Sequence, residues 1–377
     1  MKKDNLNKNV IKNINIEQDS LKNDEFNKDK LNKNSKRSFI FILLFSFLIF
    51  VILFGILLLY KNAKDSLKKE AIDKEFGIVC IGDSLTHGTG GDFISYPDYL
   101  REIMKDNFYY VPVYNLGIGG ENTLTIAGRM GAIPFEVHSF TIPSNGRANI
   151  SFLNDNQKPF RQDGNDGINP CIISEVEGNI LYDNELDEYY FERITSGEKV
   201  LVNEGSKINT FANSFYRDGI FIVFIGENGG FKNYEELISQ QQSILNLQNM
   251  NSEKFIVVGL CSGTSEERKE LDELLSNTYG NKFLNIREIL TDENLLNKYN
   301  ISLTDKDKEQ IAIGRIPDSL RMDDIHFSPD GYYIFADKIF EKIEELGYFN
   351  DIDSSVNNFN KRWSMLDKCI KFIRQYL

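Results

Sequence analysis

Histidine is scarce in this chain: His87, His138 and His326 are the three among 377 residues. Any chemistry that needs a histidine base near neutral pH must use one of them. Cysteine is also sparse. Cys80, Cys171, Cys261 and Cys369 form no CxxC pair and no Cys/His spacing of a metal site, so neither a metal nor another cofactor is expected. Cys80 and Cys261 sit in or at the end of apolar, strand-like runs, where cysteine acts as a small apolar residue. All four read as structural, a count that also permits one disulfide. Positive charge is short as well, with a net charge of −13. Residues 1–37 hold ten Lys/Arg against six Asp/Glu, which leaves −17 on the remainder. An acidic body repels polyanions and argues against nucleic acid as a main partner.

Long uncharged apolar runs are missing too, with one exception. Residues 38–60 run 23 residues without a charge, enough to span a hydrocarbon core of about 30 Å. A cleaved signal peptide has an apolar region of about 7–15 residues after a short basic start, and both parts are too long here. The segment therefore reads as a transmembrane helix. Its 15-residue flanks hold five Lys/Arg on each side, so charge does not set the orientation. A single N-terminal span leading into a large folded body points to a tail inside and a body outside, a single-pass cell-membrane protein with an extracellular domain. Residues 1–37, rich in Asn and Lys, read as a disordered cytoplasmic tail, and 61–75 as a charged linker. Residues 351–377 read as a C-terminal helical extension, in which Trp363, Leu366 and Ile370 give an amphipathic stripe for core packing, with a membrane or partner role as the alternative.

The body, 76–132 and 213–350, alternates strand-like with helix-like stretches. Strands are predicted at 77–82, 110–115, 219–225, 254–261 and 282–286. Helices are predicted near 95–105, 122–131, 233–249, 265–278 and 329–346. This alternation implies a parallel sheet covered on both faces, with the site beyond the carboxyl ends of the strands. Residues 133–212 break the pattern. Short runs (Phe135–Ile142, Ala148–Leu153, Cys171–Val176, Tyr189–Ile194, Lys199–Val202) separated by Gly, Asn and Asp predict a small inserted all-β domain. It serves either as a stabilising appendage or as a substrate-binding or lid domain beside the active edge.

The run Ile78–Ile81 ends in Gly82-Asp83-Ser84, a buried strand entering a tight turn with a serine where a helix begins. Serine needs a base within hydrogen-bond reach, and the base needs a group to hold its tautomer. His87, in the same turn as Ser84, is placed to line a pocket, and His138 lies in the insertion. His326 lies in Asp323-Asp-Ile-His-Phe-Ser-Pro, just before the last predicted helix. Asp323 can fold back on its imidazole and leave Nε2 to face Ser84; Asp324 competes for that role. A tetrahedral oxyanion needs preformed donors. The candidates are the N–H of Ser84, the N–H of Gly120 and the side-chain amide of Asn228. Gly119 is an alternative to Gly120, and an ordinary turn Gly or Asn is the plain reading of either position.

Four ordered stretches, Gly82–Leu85, Asn115–Gly120, Gly226–Asn228 and Asp323–His326, resemble the blocks of the SGNH (GDSL) hydrolase family. The resemblance covers about 76–131 and 219–346, and not the tail, the span or the insertion. It implies a flavodoxin-like three-layer α/β/α fold. It also implies Ser84 as nucleophile, Asp323 and His326 completing a catalytic triad, and Ser84, Gly120 and Asn228 forming the oxyanion hole. Glu227-Asn228-Gly229 departs from the Thr or Ala before the Asn, and the Asp after it, that many members carry.

The expectation is a membrane-anchored serine esterase that removes acyl groups, most simply acetyl, from a cell-surface or extracellular carbohydrate. An O-acyltransferase acting on envelope glycan shares the same triad. A lipid esterase or lysophospholipase is a rival, although Lys61–Lys74 reads as a polar stalk and not as an apolar lid. A non-catalytic surface binding protein is a further alternative, disfavoured by the presence of all four blocks. Oligomeric state is left open.

Overall fold

The computed structural model describes residues 76–349, apart from 93, 108, 110, 161–166, 215–217 and 248–252. The predicted tail (1–37), transmembrane helix (38–60), linker (61–75) and C-terminal extension (351–377, with Cys369) lie outside the described residues. Among the described residues no helix is long and apolar enough to cross a membrane.

Strand β1 (Phe76–Gly82) leads into the short helix α1 (Ser84–His87), then α2 (Tyr96–Asp106), β2 (Val113–Gly117) and α3 (Thr123–Met130). After the insertion the chain returns as β11 (Asp218–Phe224), α5 (Tyr234–Leu245), β12 (Phe255–Val258), α6 (Ser265–Tyr279) and β13 (Phe283–Leu284). Three short helices follow, α7 (Ile286–Ile289), α8 (Glu293–Lys298) and α9 (Asp305–Ala312), and then the long α10 (Pro329–Glu345). The five strands form one sheet in the order β13-β12-β11-β1-β2, with every pairing parallel. This is an α/β protein.

Central β1 shows why. Ile78 and Cys80 join one apolar core with Tyr96, Leu100 and Met104 of α2 and with Phe335 and Ile339 of α10. Val79 and Ile81 join another, with Ile126 and Met130 of α3, Leu237 of α5 and Leu271 of α6. Successive residues of a strand point to opposite faces, so an uninterrupted apolar run needs cover on both. Burying each such side chain contributes about 1.5–3 kcal/mol, against about 1 kcal/mol for a helix cap. Packing therefore places the strand, and caps trim the helix ends. Ser95 and Asp98 close a reciprocal capping box at the start of α2, and Thr264 and Glu267 do so for α6.

The predicted helix positions agree with α2, α3, α5, α6 and α10 to within a few residues, and α7, α8 and α9 were not foreseen. The second strand is Val113–Gly117, and position 110, where it is predicted to start, lies outside the described residues. Pro112 has no N–H to give a ladder, although its carbonyl still accepts from Ile78 N at 2.8 Å.

The insertion carries β3 (Glu136–Val137), β4 (Phe140–Ile142), β5 (Arg147–Ile150), β6 (Cys171–Ile173), β7 (Val176–Asp183), β8 (Glu188–Arg193), β9 (Val200–Val202) and β10 (Ser206–Lys207), then a short helix α4 (Phe211–Ser214). An antiparallel sheet β5-β8-β7-β6 and two strand pairs, β10-β3 and β4-β9, enclose a separate core that includes Phe135, Phe152, Ile173 and Phe191. The run predicted as a single strand at 171–176 is a hairpin. Ser174 and Glu175 both take positive φ (47° and 66°), turning β6 back into β7. Gly178-Asn179 reads locally as a turn, but pairing with β8 makes it the middle of β7. Cys80, Cys171 and Cys261 are free and buried.

Candidate active site

Three adjacent strands, β11, β1 and β2, end on the same edge of the sheet, and the predicted residues follow each of them. At the end of β1 the chain turns sharply. A Cβ on Gly82 would sit 2.1 Å from Thr86 Oγ1 and 2.5 Å from the Phe224 carbonyl, so only glycine allows the turn. Asp83 caps α1 by accepting from Leu85 N at 3.0 Å. Ser84 opens that helix and is 8% exposed. As the first helical residue, its N–H has no intrahelical acceptor.

His326 is 242 residues away in sequence, and its Nε2 lies 2.8 Å from Ser84 Oγ. Its Nδ1 lies 2.7 Å from Asp323 Oδ2. A carboxylate only accepts, so Nδ1 carries the hydrogen and Nε2 is left to accept from the serine hydroxyl. The other Asp323 oxygen accepts from the N–H groups of Ile325 and His326, at 2.8 and 2.7 Å. Burial works to raise the Asp323 carboxyl. The bonds from the imidazole and from these two N–H groups outweigh it and hold the carboxyl down at about 2, so it is ionised across the working range. Asp324 points elsewhere and pairs with Arg315 at 2.8 Å. Of the two candidate carboxylates, the structure brings Asp323 to the imidazole.

The other predicted histidines stay apart from this relay. His87 ends α1 and is exposed. His138 lies in the insertion, its Nδ1 2.8 Å from Glu204 Oε1.

Gly120 and Asn228 meet through the backbone between them. Asn228 Nδ2 donates to the carbonyl of Glu121 at 2.9 Å, and its other amide hydrogen has no protein acceptor among the described residues. Gly120 takes φ +81° and its N–H makes no hydrogen bond there either. A Cβ on Gly119 would lie 3.9 Å from Ser84 Cβ, which puts this loop directly against the serine. The loop that carries Gly120 is thus beside Ser84, and Asn228 is tied to the same loop.

Glu227, where the chain departs from the motif, has its own task. Its carboxylate accepts from Cys261 N (2.5 Å), Ser262 N (3.2 Å) and Ser262 Oγ (2.6 Å), tying the Asn228 loop to the loop after β12.

Glu121 and Arg129 were not singled out from sequence. Both side chains are fully buried. Arg129 Nε and Nη2 donate to Glu121 Oε2 at 3.0 and 2.7 Å, and Nη2 also donates to the Leu116 carbonyl at 2.9 Å. The pair braces the end of β2 and the loop that carries Gly120. An Arg eight residues after a Glu carries no local signal for this, since the pair closes only when α3 folds back against β2.

Asp83 is buried, and its Oδ2 has no hydrogen-bond partner among the described residues. Burial, reinforced by the Glu227 and Glu121 carboxylates, pushes its carboxyl up to about 7 despite the bond from Leu85 N–H. A carboxyl raised above its unfolded value stabilises the fold only while protonated. That contribution is full below about pH 4 and is lost as pH rises through about 7. Asp83→Asn, which imitates the protonated form, should match the parent near pH 4 and exceed it in stability at pH 8 by a few kcal/mol, at about 1.4 kcal/mol per pKa unit. Urea unfolding at both pH values measures this. An equal difference at the two would show that Asp83 does not titrate between them.

No family model matches the chain, and no curated protein matches it either. Among the described residues, no group of three or more His, Cys, Asp or Glu is arranged to hold a metal ion.

Proposed function

We propose that this chain is a serine esterase of the SGNH type, on a flavodoxin-like three-layer α/β/α fold, acting on acylated carbohydrate at the outer face of a cell membrane. The observation that carries the reading is the continuous relay from Ser84 Oγ through His326 to Asp323, with 2.8 and 2.7 Å steps. The strand order β13-β12-β11-β1-β2, with an apolar core on each face of the sheet, supports the fold.

In this mechanism Ser84 Oγ gives its proton to His326 Nε2 as it attacks the ester carbonyl. The new oxyanion is met by the N–H groups of Ser84, Gly120 and Asn228, donors of a kind each worth about 10²–10³ in rate. Asp323 steadies the imidazolium. On collapse, His326 Nε2–H passes its proton to the leaving alcohol oxygen and the acyl group stays on Ser84. Water, deprotonated by the same nitrogen, then releases the acid. The carbohydrate rests on the reading of 38–60 as an anchor and on the β-module inserted beside the site.

The full chain should release phenolate from an aryl acetate and should be covalently labelled at Ser84, but not at other serines, by an organophosphonate. Peptide mass spectrometry locates the label. A chain that shows neither turnover nor a Ser84 adduct would sink the esterase reading. Transfer of the acyl group to an added glycan in preference to water would move the assignment to an acyltransferase with the same triad.

A further inference from the structure

We propose that Phe160, supplied by the inserted module, closes the acyl side of the site and restricts it to short acyl groups of about the size of acetyl. This rests on the esterase reading above and adds to it the residue that sets acyl size.

The direction of each substrate arm follows from the relay. His326 must protonate the leaving oxygen, so the leaving group departs beside its imidazole. His326 enters from the layer of α2 and α10, where the next residue, Phe327, packs with Tyr96, Tyr332 and Phe335. The oxyanion is turned toward Gly120 and Asn228. The remaining substituent, the acyl chain, projects away from His326 toward the opposite layer, where α3 begins.

Phe160 stands on that side. Its ring lies against Gly120 so closely that a Cβ there would be 2.8 Å from Cζ and 3.2 Å from Cε1. Gly119, the residue before, borders Ser84 itself, so the wall begins within one residue of the nucleophile. The support behind it is firm. Pro159 is buried, and its carbonyl accepts from Tyr189 Oη at 2.6 Å. The Tyr189 ring in turn packs edge-on against Phe152, 5.1 Å between centroids, in the core of the insertion.

Phe160 also lines a groove of about 410 Å³, whose walls combine Leu124, Pro159 and Tyr189 with the polar Asn122, Asp155 and Lys158. That volume falls within the range of small-molecule sites. Neither Ser84 nor Gly120 lines it. The ring therefore both abuts the oxyanion loop and lines this groove of mixed polar and apolar walls, which a longer acyl chain would reach only past it. An accepted or rejected methylene is worth about 10–200-fold in kcat/KM, so one ring here decides chain-length preference.

The test uses the full chain with aryl acetate, butyrate and hexanoate. The parent should prefer acetate. Phe160→Ala should raise the hexanoate-to-acetate ratio of kcat/KM by at least about 10-fold, and Phe160→Trp should lower the butyrate-to-acetate ratio. Phe160→Leu, closer in volume, should move the ratio in the same direction as alanine by a smaller factor, and it carries the test should the alanine variant not fold. Thermal unfolding of each variant identifies those that are folded. An unchanged ratio in a folded alanine or leucine variant overturns the proposal. So does a parent that prefers hexanoate, with the esterase reading left standing. A change that follows the alcohol and not the acyl chain puts Phe160 on the leaving-group side and also overturns it. A parent that turns over none of the three esters overturns the esterase reading, and this inference with it.

Discussion

Replacing Ser84 or His326 by Ala should lower kcat by at least about 10⁴-fold, and replacing both should cost little more than either alone. Triad members act as one unit, and single removals in such sites approach about 10⁶. The rate left over comes from the oxyanion donors and from substrate binding, which neither change touches. Asp323→Asn should also cost about 10⁴, because an amide can present its N–H to Nδ1 and favour the wrong tautomer. Stability should change little. Ser84→Ala removes one hydrogen bond and His326→Ala two, each worth about 1 kcal/mol. In the His326 variant Asp323 still accepts from the N–H groups of residues 325 and 326, so the loop keeps its shape. Steady-state kinetics beside urea unfolding measures both quantities. More than a tenth of parental kcat in a folded Ser84→Ala variant would exclude this serine as the nucleophile. Losses that multiply in the double variant would show that the two residues do not share one step.

Arg129→Met should destabilise the body by about 3–5 kcal/mol, because it leaves the Glu121 carboxylate buried without its cation. Arg129 donates twice to that carboxylate and once to the Leu116 carbonyl, with both side chains fully buried. Pairing the change with Glu121→Gln should recover part of the loss, since no buried charge is then left behind. A double-mutant cycle should give a coupling of about 0.5–3 kcal/mol. Activity offers a second readout. The Glu121 carbonyl holds Asn228, and Gly120 precedes it, so a slackened loop weakens contacts made only in the transition state. At temperatures where the variant is folded, kcat should fall while KM moves little. An Arg129→Met variant within 1 kcal/mol of the parent would mean that Glu121 takes up a proton or finds another partner.

Much of the site was legible because its parts sit in short stretches with strong local signatures. Ile78–Ile81 followed by Gly82-Asp83-Ser84 reads as strand, turn and helix start, and β1 and α1 have that form. Asp323 and His326 are three residues apart, close enough for the loop itself to bring them together. The sequence leaves Asp323 and Asp324 as rivals; in the structure Asp323 contacts the imidazole while Asp324 pairs with Arg315. Gly119 and Gly120 were likewise open. Gly120 is the one with positive φ, and its N–H has no protein acceptor among the described residues. Residues of the insertion were harder to read, since Gly178-Asn179 has turn chemistry but lies in a strand fixed by its neighbour.

The sequence by itself determined the alternating α/β body, the interruption at 133–212, and the serine, histidine and aspartate that meet beyond the sheet. Period, turn residues and short spacings carry that information within a few residues of each position. Only the tertiary structure decided that Glu121 and Arg129 are buried together, that Glu227 ties two loops, and that Phe160 lies on Gly120. Each of these joins chemically ordinary residues from separate elements, or across a turn of the chain. Their partners are set by how helices and the inserted module pack on the sheet, and no local pattern encodes that.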